Sequence, residues 1–187
     1  MKSSIIVIDD FYKNPDPVRE LGLRQDFNVS GNYPGLRSKP FKSGGVKEAL
    51  EFWLRRPIEE KSWNSIDYNG AFQYATKDAV TWIHCDKFNE FAAVVFLSPN
   101  PSPHTGVAFY QHKETGDYRW NDETGSMLDN KGSAWDEWEV ADRVENRYNR
   151  CVIFDSQLFH AAEGYFGDNL ENARLFQTYF FDQHKNK

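Results

Sequence analysis

The sequence has little cysteine, no long apolar run and no excess of basic charge. Its two cysteines, Cys85 and Cys151, could pair, but a chain of 187 residues needs no staple, and neither cysteine sits in a CxxC or zinc-finger spacing. The longest N-terminal apolar stretch, Ile5-Ile6-Val7-Ile8, stops at Asp9-Asp10. That is too short for the core of a secretory signal and far short of a membrane span. Acidic residues number 28 against 22 basic ones, a net charge of -6, so phosphate backbones and anionic membranes would repel the chain as a whole. A cytoplasmic protein without nucleic-acid or membrane partners is expected.

What is present is the profile of a soluble globular protein, with 40% apolar residues, 16% aromatic residues and charges spread along the chain. The length suits one core, and a single domain over 1-187 is expected. Residues 4-12 read as an edge strand. Asp16 is placed to cap a short helix with Pro17 at its first position and Val18 and Leu21 inward. Val46, Ala49, Leu50, Trp53 and Leu54 recur on one helical face, and Pro57 stops that second helix. From residue 66 onward the pattern changes to strands at 71-76, 79-86, 91-97, 106-112, 150-155, 158-162 and 174-182. Helices gathered in 1-65 and strands in 66-182 predict a mainly β (α+β) fold, with the helices packed on an antiparallel sandwich or jelly roll.

Residues 113-149 interrupt the strands with Trp120, Trp135, Trp138 and ten acidic against five basic side chains. An insertion of this length is either a lid over a site or a surface excursion. Within it, Trp135, Trp138, Ala141, Val144 and Tyr148 fall along one side of a helix over 134-148.

The segment Trp82-Ile83-His84-Cys85-Asp86 carries the chemistry. On a strand, the period of two turns His84 and Asp86 to one face and Cys85 to the other. A third ligand must come from a distant strand, and His160 stands at the end of one. Two histidines and one carboxylate leave adjacent metal positions open, as non-haem Fe(II) requires, whereas closed structural zinc would take a fourth protein ligand. An HxD triplet alone is common by chance. The ordered set of triplet, second histidine and a cation, Arg174, on the last strand is far rarer.

That set resembles the Fe(II)- and 2-oxoglutarate-dependent oxygenases, and within them the prolyl-4-hydroxylase-like branch. The likeness runs from Phe72 to Phe181 through His84-x-Asp86, Gly106-Val-Ala-Phe-Tyr110, Arg150-Cys-Val-Ile-Phe-Asp155 leading to His160, and Arg174-Leu-Phe-Gln-Thr-Tyr-Phe-Phe181. The opening Ile6-Val7-Ile8-Asp9-Asp10-Phe11 is similar to the start of many such domains. The resemblance implies a double-stranded β-helix core in which His84, Asp86 and His160 hold Fe(II) and Arg174 grips the distal carboxylate of 2-oxoglutarate with its planar guanidinium. It places Tyr74 where the family often has a tyrosine against the cosubstrate; a tyrosine whose hydroxyl satisfies a backbone group is the other reading. The connection from His160 to Arg174 is longer than the family's, through Gly164-Tyr-Phe-Gly-Asp-Asn169, which leaves a plain surface arginine as an alternative.

Consumption of O2 and 2-oxoglutarate with release of succinate and CO2, and hydroxylation of a small-molecule or peptide substrate, are the implied reaction; a carboxylate ligand at Asp86 disfavours halogenation. A cupin-like metal enzyme that does not use 2-oxoglutarate and a non-catalytic jelly-roll binding module are the alternatives. Tyr110, Trp120 and Arg37 are candidates to touch substrate, Arg37 by steadying an anionic group. His104 and His112 read as solvated, and His184 as part of the C-terminal tail.

Overall fold

The structure is a computed structural model that describes residues 4-65, 68-123, 125 and 131-184. Strand β1 (Ile5–Ile8) and helix α1 (Pro15–Leu23) come first, followed by β2 (Leu36–Pro40) and helices α2 (Val46–Leu54) and α3 (Glu60–Ser65). Strands β3 (Ala71–Ala75), β4 (Phe91–Phe96), β5 (Val107–His112), β6 (Trp138–Val144), β7 (Cys151–Asp155), β8 (His160–Ala162) and β9 (Arg174–Phe181) complete the described elements. Six strands form one sheet in the order β1-β7-β4-β9-β3-β2, and three form another in the order β6-β5-β8. Every named pairing is antiparallel.

Alternation along the strands builds two separate cores from the large sheet. In β4, Phe91, Ala93 and Val95 face one way and Ala92, Val94 and Phe96 the other; in β7, Cys151 and Ile153 part from Val152 and Phe154 in the same manner. One face meets Leu50 and Val46 of α2, Ile58 and Trp63, while the other meets Val107, Phe109 and Val144 of the small sheet. Strands buried on both faces lose the polar alternation of an exposed sheet. Full burial of a side chain such as Leu50 contributes about 1.5–3 kcal/mol, so this helix-facing core is where α2 is held.

Several local expectations change. Helix α1 starts at Pro15 with Asn14 as its cap residue, two residues before Asp16, because a proline fits the first helical position wherever it first occurs. Trp53 of α2 is 46% exposed. Residues 79-86 form one isolated bridge, His84 with His160, in place of a regular strand. The main departure is 134-148: a short 3-10 turn, Trp135–Glu137, leads into strand β6, not a helix. There Trp138 and Val144 are buried while 139-143 are exposed, and pairing with β5 over Val107↔Val144 to His112↔Trp138 supplies a ladder that no local helix could match. His112 is buried, with its ring on Thr115 and Glu137, because β6 and the turn before it cover the end of β5.

Candidate metal centre and its cavity

His84 and His160 face each other across the bridge, His84 N–H donating to the His160 carbonyl at 3.0 Å and His160 N–H to the His84 carbonyl at 2.8 Å. Opposite residues on paired strands project to the same side, and the two imidazoles accordingly lie 4.5 Å apart, centroid to centroid. The segment is pinned on its other edge by Ile83 N–H donating to the Gly132 carbonyl. A Cβ at Gly132 would lie 2.1 Å from the Ile83 oxygen, so only glycine permits that approach. Asp86 N–H donates to the Ser156 carbonyl. The segment thus keeps the period of two without being a regular strand, and Cys85 packs with the apolar residues on the outer side of the small sheet.

The ligand atoms of His84, Asp86 and His160 all lie within 4.8 Å of one another, and no other group of three or more potential metal ligands occurs among the described residues. Asp86 Oδ2 is 3.5 Å from His160 Nε2. In both histidines Nδ1 meets the backbone carbonyl two residues back, Trp82 for His84 at 3.0 Å and Leu158 for His160 at 2.8 Å. A proton held there leaves each Nε2 with its lone pair free, which is how second-shell contacts prepare histidine ligands. Burial, followed by the neighbouring His160, pushes the His84 imidazole down to about 4, so it is neutral near pH 7. Burial raises the Asp86 carboxyl, but the neighbouring His160, then His84 and Arg37, outweigh it and hold it below its usual value. A neutral His84 imidazole beside an ionised carboxylate suits a divalent metal.

The triad opens on a cavity of about 660 Å³ between the two sheets, within the usual range for small-molecule sites. Arg174 lines it from β9 and is 3% exposed, not a surface cation. The long β8–β9 connection is braced from within, Asp168 and Asn169 N–H both donating to Asn172 Oδ1 and Ala173 N–H to the Asn169 carbonyl. Strand β9 then starts with Arg174 opposite Ala75. Its guanidinium donates to the carbonyls of Thr105 at 2.7 Å and Gly106 at 3.2 Å, and among the described residues no carboxylate pairs with it. Burial pushes it down to about 10, which leaves it charged. Gly106 lies three residues along the small sheet from Phe109, the partner of His160, or ~10 Å of strand.

The other sequence-derived candidates divide. Arg37 lines the cavity beside Gln73. Tyr74 does not: it belongs with Phe27 and the helix-facing core, because the period of two gives it the parity of Phe72, opposite to that of Gln73. Tyr110 and Trp120 pack on the outer face of the small sheet with Trp138 and Phe159. Tyr110 alternates with Phe109, which points inward. No described residue of 113-149 lines the cavity; residues 124 and 126-130 of that insertion lie outside the described residues. The described part of the insertion covers the second face of the small sheet, whose apolar side chains need a partner. Sequence reasoning missed Tyr165, within 5.6 Å of the Arg174 guanidinium, and Thr178, whose buried hydroxyl has no hydrogen-bond partner among the described residues and which lines the cavity. Thr178 was available from its even spacing with Arg174; Tyr165 lies in a loop with no periodic signal.

The fold has solved counterparts. HygX from Streptomyces hygroscopicus, with nickel, 2-oxoglutarate and hygromycin B bound, superposes with a TM-score of 0.55 at 15% identity, over 95% of this chain and 82% of that one. A Pseudomonas putida prolyl-4-hydroxylase does so with a TM-score of 0.52 at 16% identity, over 97% and 94%. SnoN, a non-heme alpha ketoglutarate dependent epimerase from nogalamycin biosynthesis, gives 0.55 at 11% identity, over 95% and 76%. At these identities the likeness is one of fold. No curated protein matches the chain. Residues 1–180 match the family model of DUF6445, a family of unknown function, and the chain belongs to that family.

Proposed function

We propose that this chain is a non-haem Fe(II)- and 2-oxoglutarate-dependent dioxygenase of the hydroxylating type, a single domain whose two sheets are the major and minor sheets of a double-stranded β-helix, with the N-terminal helices supporting the major sheet. The observation that carries the reading is the pairing of two features in one cavity: the converging triad of His84, Asp86 and His160, and the buried Arg174 with no carboxylate partner among the described residues. The structural counterparts that carry iron or nickel and 2-oxoglutarate support it.

His84, Asp86 and His160 would hold the iron and leave its remaining positions facing the cavity. Bound iron and 2-oxoglutarate supply the oxidising chemistry, in which O2 is consumed, succinate and CO2 leave, and a substrate carbon gains a hydroxyl. The protein's part is positional. The Trp82 and Leu158 carbonyls fix the two rings through Nδ1. Arg174, held by the Thr105 and Gly106 carbonyls, offers its remaining N–H groups to an anionic end. Phe154 and Phe109, against the His160 ring, and Phe176, against Arg174, keep water from the space between. We place the protein in the cytoplasm, the simplest setting for a chain of this size whose two cysteines sit in no CxxC spacing.

The test is an anaerobic titration with Fe(II) and then 2-oxoglutarate, followed by a screen of candidate substrates for stimulated succinate release. The expected result is a visible charge-transfer band with one equivalent of each, absent in His160→Ala. Iron bound at the triad without a band or succinate would point to a metal enzyme that does not use 2-oxoglutarate. Absence of metal binding would overturn the reading.

A further inference from the structure

The cavity contains a second buried cation that this reading leaves unused. Arg37, on β2, is 9% exposed and lines the same cavity as the triad. Its Nε and Nη2 both donate to Gln73 Oε1, at 2.9 and 2.6 Å. Gln73 is itself fixed by donating from Nε2 to the Pro34 carbonyl. The Tyr33 ring covers one face of the guanidinium, 3.7 Å from its centre, and Tyr68 stands at 5.6 Å. Gly35, at φ +79, makes the turn that brings β2 against the Tyr74 carbonyl, where a Cβ would lie at 2.1 Å. The arginine is therefore held in place by neutral and aromatic groups alone.

The structural arginines of this protein are treated differently. Arg150 forms a two-point pair with Asp9, at 2.6 and 2.9 Å, and Arg19 donates to two carbonyls near the surface. Arg37 has no carboxylate partner in salt-bridge contact among the described residues, although desolvating a charge without one is costly. Its remaining Nη1 makes no hydrogen bond among the described residues. Asp86 acts on it only at longer range and is engaged with His160. A dianion would meet the charge of Asp86, whereas a monoanion would complete the one guanidinium edge left over. Tyr33 and Tyr68 beside Arg37, with Trp82 and Phe88, also line the cavity and suit an apolar body.

We infer that Arg37 anchors the carboxylate of the substrate, and that the substrate is a small monocarboxylic acid with an apolar body. This rests on reading Arg174 as the anchor of 2-oxoglutarate, so that the two guanidiniums serve different molecules.

The experiment uses calorimetry on the intact chain with a set of aromatic and aliphatic monocarboxylic acids, 3-phenylpropionate among them, each compared with its primary amide. Titrations are run anaerobically with Fe(II) and 2-oxoglutarate present, and again without metal in Arg174→Met, where Arg37 is the cavity's remaining buried guanidinium. Acids are expected to bind about thirtyfold or more tightly than their amides. Arg37→Met should erase that preference and leave 2-oxoglutarate affinity unchanged, while Arg37→Lys keeps part of it. Equal binding of acids and amides, no acid bound, a preference that survives in Arg37→Met, or loss of 2-oxoglutarate binding in that variant would each overturn the inference. If Arg37→Met does not fold, the acid–amide comparison in the unaltered protein and in Arg37→Lys decides it. Failure of 2-oxoglutarate to bind the unaltered protein would count against the proposed function; the metal-free comparison still reads Arg37.

Discussion

The two faces of strand β9 are built from the same kinds of residue and treat their polar groups in opposite ways. On the helix-facing side, Gln177 accepts from the Tyr12 hydroxyl at 2.7 Å and donates to the Phe41 and Gly70 carbonyls, both at 2.8 Å, while Tyr12 and Tyr179 hydroxyls meet at 3.0 Å. On the cavity side, among the described residues, Arg174 has two carbonyls and no anion, and Thr178 Oγ1 has no partner. Buried polar groups are normally satisfied. The first face is therefore a closed network that contributes stability, and the second keeps hydrogen-bonding capacity for a ligand at some cost to stability.

Three substitutions sharpen that contrast. The largest effect is expected for Arg174→Met, measured by 2-oxoglutarate titration. Removing one partner of a buried charge pair costs about 2–5 kcal/mol, so affinity should fall by more than an order of magnitude, whereas the ligand-free protein should be as stable as before or more so. A drop in its melting temperature would mean that Arg174 is structural. Gln177→Leu should do the reverse. It strands the Phe41 carbonyl and removes a Tyr12 partner, lowering stability in denaturant by about 1–3 kcal/mol with 2-oxoglutarate affinity retained. Thr178→Val should be the mildest: deleting an unpaired buried hydroxyl should leave stability unchanged or raise it by up to about 1 kcal/mol. Equal destabilisation by the two β9 substitutions Gln177→Leu and Thr178→Val would dissolve the difference between the faces.

The fold and the site were legible to different extents for physical reasons. Strands β3, β4, β5, β7 and β9 were readable because apolar runs bounded by turn residues are local signals, and α2 because its buried face recurs at helical spacing. Strand β6 was not: its exposed 139-143 carry no apolar alternation, and Trp135, Trp138 and Val144 imitate a helical stripe. Only the pairing with β5 makes it a strand. The same distinction divides the site residues. His84 and Asp86 share a face by local parity, so their convergence could be read two residues apart. Tyr74 was misplaced because a strand residue has two faces to choose from, and its register with Leu36 and Leu175 puts it with the helix-facing core.

The sequence by itself determined the ligand types, the period that turns His84 and Asp86 to one side, and the polarity of the chain, because each depends on side-chain chemistry and on neighbours a few positions away. Tertiary structure decided the rest. It brought His160 opposite His84, buried Arg174 and Arg37 in one cavity without carboxylate partners among the described residues, and laid the described part of 113-149 on the outer face of the small sheet. Those outcomes depend on strand pairing between distant segments, and on which apolar face had to be covered once the sheets had met.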